Sequence, residues 1–444
     1  MKLPTIPGFD PQSFEKYVKN TGWLMLARVG SLIIKMFTAI AVANYLGSEG
    51  NGMLNFPMAL VTFFMAASAL GLDAFITREL LQRPADKNRL LGTALGMRLI
   101  AGMAALPLIY LTYYALLNFS GSSVAVPFNF VAIVSLVCLV QAMNITDSYF
   151  QSQVQGKNIM MVQVVANISS ALIKVCLILF SAPLIYFVWS LLADALLLAG
   201  GYWLMYQKNA GSVFHWRFDK PLAKSLLMKA WPLAFSAVLV SLYMKIDQLM
   251  ISTYLGNRSL GIYSTVVNLS ESWYFIPVAT VSALFPAIMN ARNSDPQRYQ
   301  KRLQNLYELM SFLSLGIALV MTFASSFIYG LLYSDDFTGG AEVLAIHVWA
   351  GIFVFLGSAS GQYLIAEGYT RLSLVRTGIG ALVNILLNIW WIPLFGIKGA
   401  AWATLVGYGV ATFYIILIPK TRAQGIMMLQ SIVQLRLIRK LFIR

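Results

Sequence analysis

The residues of this chain that could do chemistry are ionisable side chains standing inside otherwise apolar stretches. They are Arg28, Lys35, Arg98, Lys174 and Lys245 on the basic side, and Asp73, Asp147, Asp194, Asp247 and Glu271 on the acidic side. A charge in hydrocarbon costs at least about 2.5–3.5 kcal/mol even on the lenient insertion scale, so each needs a partner, water or a route to the interface. Asp73, Asp147 and Arg98 stand within about two turns of an inner edge, and Lys174 stands near an outer edge, where snorkelling relieves them. Lys35, Asp194, Lys245, Asp247 and Glu271 lie deeper. Arg28 and Lys35 are seven residues apart and share a helix face, roughly 10 Å from each other along the axis, which makes a basic stripe. Lys245 and Asp247 are two apart and point to nearly opposite sides of their helix.

Two kinds of chemistry fit this pattern. A cationic wall of Arg28, Lys35 and Lys245, extended by Arg98 and Lys174, suits a pyrophosphate or an acidic sugar. A carboxylate at Glu271, Asp247 or Asp194 suits coupling to a proton or sodium gradient. Glu271 is favoured over Asp247, which has a base nearby. It also precedes Pro277 by six residues, where a proline kink could flex. The alternative is that acids and bases simply pair between helices and hold the bundle together.

The elements that must position these residues are transmembrane helices. Of the 444 residues, 59% are apolar and 11% charged, far from the balance of a soluble domain. Apolar runs separated by charged or turn-rich breaks predict about twelve spans: 20–46, 52–77, 90–117, 127–150, 159–181, 183–207, 226–255, 260–290, 304–333, 341–366, 372–395 and 398–420. The net charge of +15 is scattered between spans, which excludes a nucleic-acid surface and fits the positive-inside bias. The basic residues outside the spans fall in alternate connections, including Arg371 and Arg376 at one inner edge. Only Arg258 and Lys398 are left for the outer loops, beside Glu49, Asp335, Asp336 and Glu342. Both termini are therefore expected in the cytoplasm, and the polar first residues give no sign of a cleavable signal peptide.

The expected organisation is a cytoplasmic segment 1–19, a six-helix bundle 20–207, a linker 208–225, a second six-helix bundle 226–421 and a basic amphipathic tail 422–444 lying in the headgroup zone. An internal repeat supports the division. Tyr45-Leu46-Gly47 with Gly52 recurs as Tyr254-Leu255-Gly256 with Gly261, all at an offset of 209, and Trp23 is echoed by Trp231. Six spans per half is an even number, so the bundles should be related by a pseudo-two-fold axis along the membrane normal, the plan of an alternating-access carrier.

No GxxxxGK[ST] loop and no HExxH motif occurs, and His215 and His347 are the only histidines, so neither an enzyme nor a cofactor is expected. Cys138 and Cys176 sit in apolar runs and predict no disulfide. The GxxxG pairs Gly92/Gly96 and Gly357/Gly361 read as helix packing.

Several ordered motifs carry a resemblance. Asn20-Thr21-Gly22-Trp23, Tyr45-Leu46-Gly47, Gly71-Leu72-Asp73 and Thr77-Arg78-Glu79 open the chain. Ile246-Asp247-Gln248, Gly261-Ile262-Tyr263-Ser264, Glu271-Ser272-Trp273, Phe275-Ile276-Pro277 and Phe285-Pro286 follow, then Phe395-Gly396-Ile397-Lys398-Gly399-Ala400-Ala401 with Ala403-Thr404. Together they resemble the polysaccharide transporters of the multidrug/oligosaccharidyl-lipid/polysaccharide exporter superfamily. The resemblance implies a Wzx-type flippase of the bacterial inner membrane. Its cargo would be undecaprenyl-diphosphate-linked repeat units of O-antigen or exopolysaccharide, and its partners membrane lipids and other polysaccharide assembly proteins. Lipid II flippases of that superfamily typically have two additional C-terminal helices, which this chain does not show. A drug/cation antiporter is the nearest rival, disfavoured by the basic stripe. A membrane-embedded polysaccharide polymerase would carry a larger outer loop.

Overall fold

The computed structural model describes residues 11–120, 126–292 and 295–433, and every regular element among them is helical. The α-helices are α1 Pro11–Ser68, α2 Leu72–Gln82, α3 Lys87–Ser120, α4 Phe128–Ser135, α5 Val137–Val140, α6 Ile145–Ser152, α7 Gly156–Leu179 and α8 Leu184–Asn209. They continue with α9 Lys220–Glu271, α10 Phe275–Arg292, α11 Pro296–Leu332, α12 Gly340–His347, α13 Ala350–Ala366, α14 Thr370–Phe395, α15 Ile397–Phe413 and α16 Arg422–Ile432. An all-helical answer follows from the solvent, since only a helix satisfies its own backbone in hydrocarbon without a closed sheet.

Ten helical stretches are long and apolar enough to cross a bilayer. Two of them, Val29–Gln82 and Lys220–Arg292, are several times the roughly 20 residues that one crossing needs. Each divides at a glycine: Gly47 (φ 69°, ψ 176°) inside α1 and Gly256 (φ 82°, ψ −178°) inside α9. Only glycine reaches those angles without strain, so the repeated Tyr-Leu-Gly triplet turns the chain back at both places. Twelve crossings result, as the sequence predicts. The boundaries differ in one respect: the span expected at 52–77 is broken at 69–71, where Leu70 (φ 56°) and Gly71 (φ 59°) end α1 before α2 begins.

The chain forms two compact units, Met1–Leu46 with Met53–Ser241, and Gly47–Gly52 with Leu242–Arg444. The core of the first includes Leu72, Ile76, Leu91, Phe150, Tyr202 and Tyr206. The connection before α9 packs into this unit. Arg217 N–H donates to Asn88 O, and Asp219 N–H donates to Thr93 Oγ1. Gly92 and Gly96, expected to pack a helix, instead press against Arg217 and Phe218.

The core of the second unit includes Leu303, Tyr307, Met310, Phe355, Leu356 and Met428. Of the expected tail, α16 buries Gln424, Met428 and Ser431, with Ser431 Oγ 2.8 Å from Ser311 Oγ, and leaves Ile426 and Leu429 exposed. The remainder of the tail, 434–444, and residues 1–10 lie outside the described residues.

The second unit also holds the repeat's contact. A Cβ on Gly52 would fall 1.8 Å from Asn257 O, and one on Gly261 would fall 1.7 Å from Ser48 O. Ser48 and Asn257 are themselves 209 residues apart. A contact in which i meets j′ and i′ meets j is the signature of a local two-fold axis. Asn51 Nδ2 donates to Gly261 O at 2.9 Å beside it.

Candidate functional site

In the first unit, α1, α7 and α8 bring three of the expected residues together. Lys174 Nζ on α7 donates to Asp194 Oδ2 on α8 at 2.6 Å and to Ser170 Oγ at 3.1 Å. Lys35 on α1 lies within electrostatic reach of both Asp194 and Lys174. Asn167 Nδ2 donates to Ser31 Oγ at 2.7 Å, which fixes α7 against α1 a turn from Lys35. The cluster holds two ammonium groups and one carboxylate. Lys174 was expected to snorkel to an outer edge; here it is ion-paired and its side chain is 14% exposed. The side chain of Arg28, the other member of the basic stripe, lies outside the described residues.

Arg98 does not join this cluster. Its Nη2 stands 2.8 Å from Asp73 Oδ1, so two of the charges expected to escape at an inner edge form an ion pair across α3 and α2. Asp147 Oδ2 accepts from Gln151 Nε2 at 3.1 Å.

The second unit gathers Lys245, Asp247 and Glu271. Lys245 Nζ is 3.6 Å from Glu271 Oε2, both on α9 but on opposite sides of the Gly256 turn. Asp247 is 4% exposed and belongs to a separate oxygen-rich group. Tyr263 Oη donates to Asp247 Oδ2 at 2.5 Å, Thr404 Oγ1 donates to the same oxygen at 3.3 Å, and Gln248 N–H donates to Oδ1 at 2.8 Å. Behind Thr404, Asn384 Nδ2 donates to its Oγ1 at 3.5 Å, and Asn388 Nδ2 donates to Asn384 Oδ1 at 3.1 Å. The buried Asn388 Oδ1 has no hydrogen-bond partner. His347 Nδ1 meets Ser270 Oγ at 2.9 Å, one residue before Glu271.

The helix ends at Glu271 and resumes at Phe275. The kink was expected at Pro277, but the break lies upstream, for a reason that begins with that proline. Pro277 has no N–H to give to the carbonyl four residues back, and Ile276 N–H instead donates to Trp273 O at 3.0 Å, as Tyr274 N–H does to Glu271 O at 2.9 Å. Tighter turns replace the helix directly after the carboxylate.

Chemically, the Lys245–Glu271 pair can open to an anion on one side and a proton or cation on the other. The hard oxygens of Asp247, Thr404, Asn384 and Asn388 are of the type that ligates a sodium-like ion. Among the described residues no three His, Cys, Asp or Glu side chains converge as a metal site. Sequence reasoning singled out Asp247 as a site residue; Tyr263 and Thr404 stood only as members of the motifs that carry the resemblance, and Asn384 and Asn388 were not singled out. The signal for the last two was a pair of asparagines four apart in the apolar run of α14.

The family described as "Polysaccharide biosynthesis protein" matches residues 17–292, and a second family, MatE, matches 232–390. The chain is 25% identical over 171 residues to the probable low-salt glycan biosynthesis flippase Agl15 of Haloferax volcanii, a stretch that covers 38% of this chain and 36% of that protein. The chain thus spans little more than a third of that relative's length. Among solved structures, it superposes on an inward-facing multidrug resistance MATE family transporter of the MOP superfamily with a TM-score of 0.73 at 13% identity, covering 91% of this chain and 96% of that one. It superposes on the lipid II flippase MurJ in its inward closed conformation with a TM-score of 0.69 at 16% identity, covering 94% and 92%. Those likenesses establish the fold, and the match over 17–292 establishes the lineage: the chain is a multi-pass membrane protein that belongs to the polysaccharide biosynthesis protein family.

Proposed function

We propose that this protein is a flippase that moves undecaprenyl-diphosphate-linked oligosaccharide repeat units from the cytoplasmic to the periplasmic leaflet of a bacterial inner membrane. It works by alternating access, coupled to a proton or sodium gradient, with both termini in the cytoplasm. The observation that carries this reading is the joining of Lys245 to Glu271 at 3.6 Å inside an apolar segment. An anionic cargo binds Lys245 by displacing Glu271. A carboxylate that loses its counter-charge in a poorly hydrated site is driven to take up a proton or a metal cation. Cargo entry and ion uptake are then one event. Lys35, held near a Lys174–Asp194 pair of no net charge, is a cationic group of the first unit suited to an anionic cargo. The membership of a polysaccharide biosynthesis family and the name of the Agl15 relative support the same cargo class.

The test is transport of a fluorescent polyprenyl-diphosphate glycan in proteoliposomes bearing an imposed proton or sodium gradient. Wild-type protein should respond to one gradient. Lys245→Gln should lose transport, and Glu271→Gln should retain cargo binding while losing its response to the gradient. Full gradient-driven transport by both variants would reject this mechanism.

A further inference from the structure

Arg376 is a buried charge that the site above leaves unused. In the sequence it stands with Arg371 among the bases of an inner edge, but α14 carries it inward. Arg371 is exposed, whereas Arg376, five residues further on, is 8% exposed. Its Nη1 donates to Ser360 Oγ and its Nη2 to Gly357 O, each at 3.0 Å. Both acceptors are neutral. Arg98, Lys174 and Lys245 each meet a carboxylate, but Arg376 makes no ion pair among the described residues. A guanidinium has five N–H donors, and an unpaired charge held away from water costs several kcal/mol.

The fold makes room for this charge. Gly357 and Gly361 lie one turn apart on α13; the first presents its carbonyl to Nη2, and a Cβ on the second would stand 3.3 Å from the same nitrogen. A glycine pair that on sequence grounds packs a helix is here the cradle of a guanidinium. Tyr243 and Tyr307 lie within the electrostatic reach of Arg376. The ring of Tyr243 is held by stacking on Tyr408, with centroids 4.1 Å apart, and the hydroxyl of Tyr307 is engaged by Gln424. A strap between α13 and α14 would need only a neutral donor, so the permanent charge remains to be explained.

We infer that Arg376 is an anion-recognition residue of the second unit that takes the phosphoester group of a lipid, with Tyr243 and Tyr307 as neighbouring phenols. The planar guanidinium fork matches phosphate oxygens in a way a lysine does not. Two sources offer this chemistry. One is the diphosphate of a carried polyprenyl lipid, which rests on the flippase reading; the other is the headgroup of a bilayer phospholipid, which does not.

The experiment measures binding of undecaprenyl diphosphate and of phosphatidylglycerol to the full-length protein by native mass spectrometry, with thermal unfolding in parallel, for wild type, Arg376→Gln and Arg376→Lys. Without added lipid, Arg376→Gln should unfold at the wild-type temperature or higher, because an uncompensated charge has been removed. Its affinity for at least one of the two lipids should fall roughly tenfold or more, with Arg376→Lys intermediate. Loss confined to undecaprenyl diphosphate assigns the site to cargo, and loss confined to phosphatidylglycerol assigns it to the bilayer. Wild-type affinity for both lipids in Arg376→Gln overturns the inference. Should that variant fail to fold, wild-type affinity for both in Arg376→Lys overturns it equally. Because the assay reads binding and not transport, its failure leaves the flippase reading standing, and a failed transport assay leaves this one standing.

Discussion

At 3.6 Å, Lys245 and Glu271 are further apart than the 2.6 Å of Lys174 and Asp194, and charge-assisted N–H···O bonds are usually about 2.7–2.9 Å. The tight pair behaves as a strut and the loose one as a contact that can be exchanged. Replacing a well-paired buried ion pair by apolar residues of similar volume is often neutral or stabilising by about 1–4 kcal/mol. The double variant Lys174→Met with Asp194→Leu should therefore keep its thermal stability and much of its transport. Lys245→Met with Glu271→Leu should fold equally well and carry no glycan in the proteoliposome assay. Equal transport by the two double variants would remove the distinction. Asp247 makes a third case, since it is held by hydroxyls and a backbone N–H and has no ion pair among the described residues. Asp247→Asn should keep cargo binding and lower gradient-driven transport by roughly tenfold or more, a loss of about 1.4 kcal/mol in coupling. Binding and flux measured on the same preparation check it. The carboxylates were legible in the sequence because a charge in an apolar run violates its solvent. Their partners were not. Tyr263 and Thr404 stand 16 and 157 residues from Asp247, and each is an ordinary residue for a membrane helix. Arg376 escaped notice because an arginine a turn and a half from a span edge reads as a topology anchor until the fold buries it.

The two glycine hairpins show how a single element can carry the duplication. Gly47 and Gly256 share a backbone conformation that glycine alone tolerates, and Gly52 and Gly261 each admit the backbone of the other hairpin where a Cβ would collide. Ala at Gly52 or Gly261 must move backbone atoms and should cost about 1–3 kcal/mol. Ala at Gly316, which faces open space, should cost far less. Thermal midpoints of the three variants in one detergent check this. Asp336 closes both hairpins: it accepts from Ser48 N–H at 2.5 Å and pairs with Arg258 at 3.1 Å. The Ser48 N–H foremost, with Arg258 adding to it, holds the Asp336 carboxyl below the usual carboxylate range. A group whose value is lowered on folding stabilises above its unfolded value, and that contribution is lost as pH falls through the folded one. Below about pH 4, the wild-type midpoint should fall more steeply than that of Asp336→Asn, by a small margin because the carboxylate is partly exposed. Parallel curves would show that Asp336 contributes nothing to closure. The repeat could be read from identical residues at one offset, but its reciprocal contact could not. The contacting partners, Ser48 and Asn257, are different residues, and only the backbone of each meets the opposite glycine.

Across the whole molecule, the twelve crossings and the charge distribution lead to an expected topology that can be tested directly. The bases of the long polar connections fall on one side, and the structure sharpens the contrast on the other. Of the two bases expected outside, Arg258 pairs with Asp336 and Lys398 with Glu342, so neither presents an unpaired positive charge. The insertion bias counts Lys and Arg rather than net charge, so the gathering of bases in alternate connections is what sets the expected orientation. The crossing count was legible because each span is an apolar run of bilayer length. The extent of each compact unit was less so: the stretch through Arg217 and Asp219 is polar and reads as a loose linker, yet its backbone is bonded to Asn88 and Thr93 in the first unit. Single cysteines introduced at Ser334, in the connection before α12, and at His215, in the connection before α9, sample the two sides, once Cys138 and Cys176 are replaced by Ser. Both positions are exposed, so a polar maleimide meets no steric barrier at either. In intact spheroplasts Ser334→Cys should label fully and His215→Cys should not. After permeabilisation both should label. The opposite pattern would invert the topology, place the bases of the polar connections outside, and require cargo to enter the Lys245–Glu271 pair from the periplasm. Labelling of both positions in intact spheroplasts would mean an even number of crossings between His215 and Ser334 in place of the expected three, and would change the count of twelve.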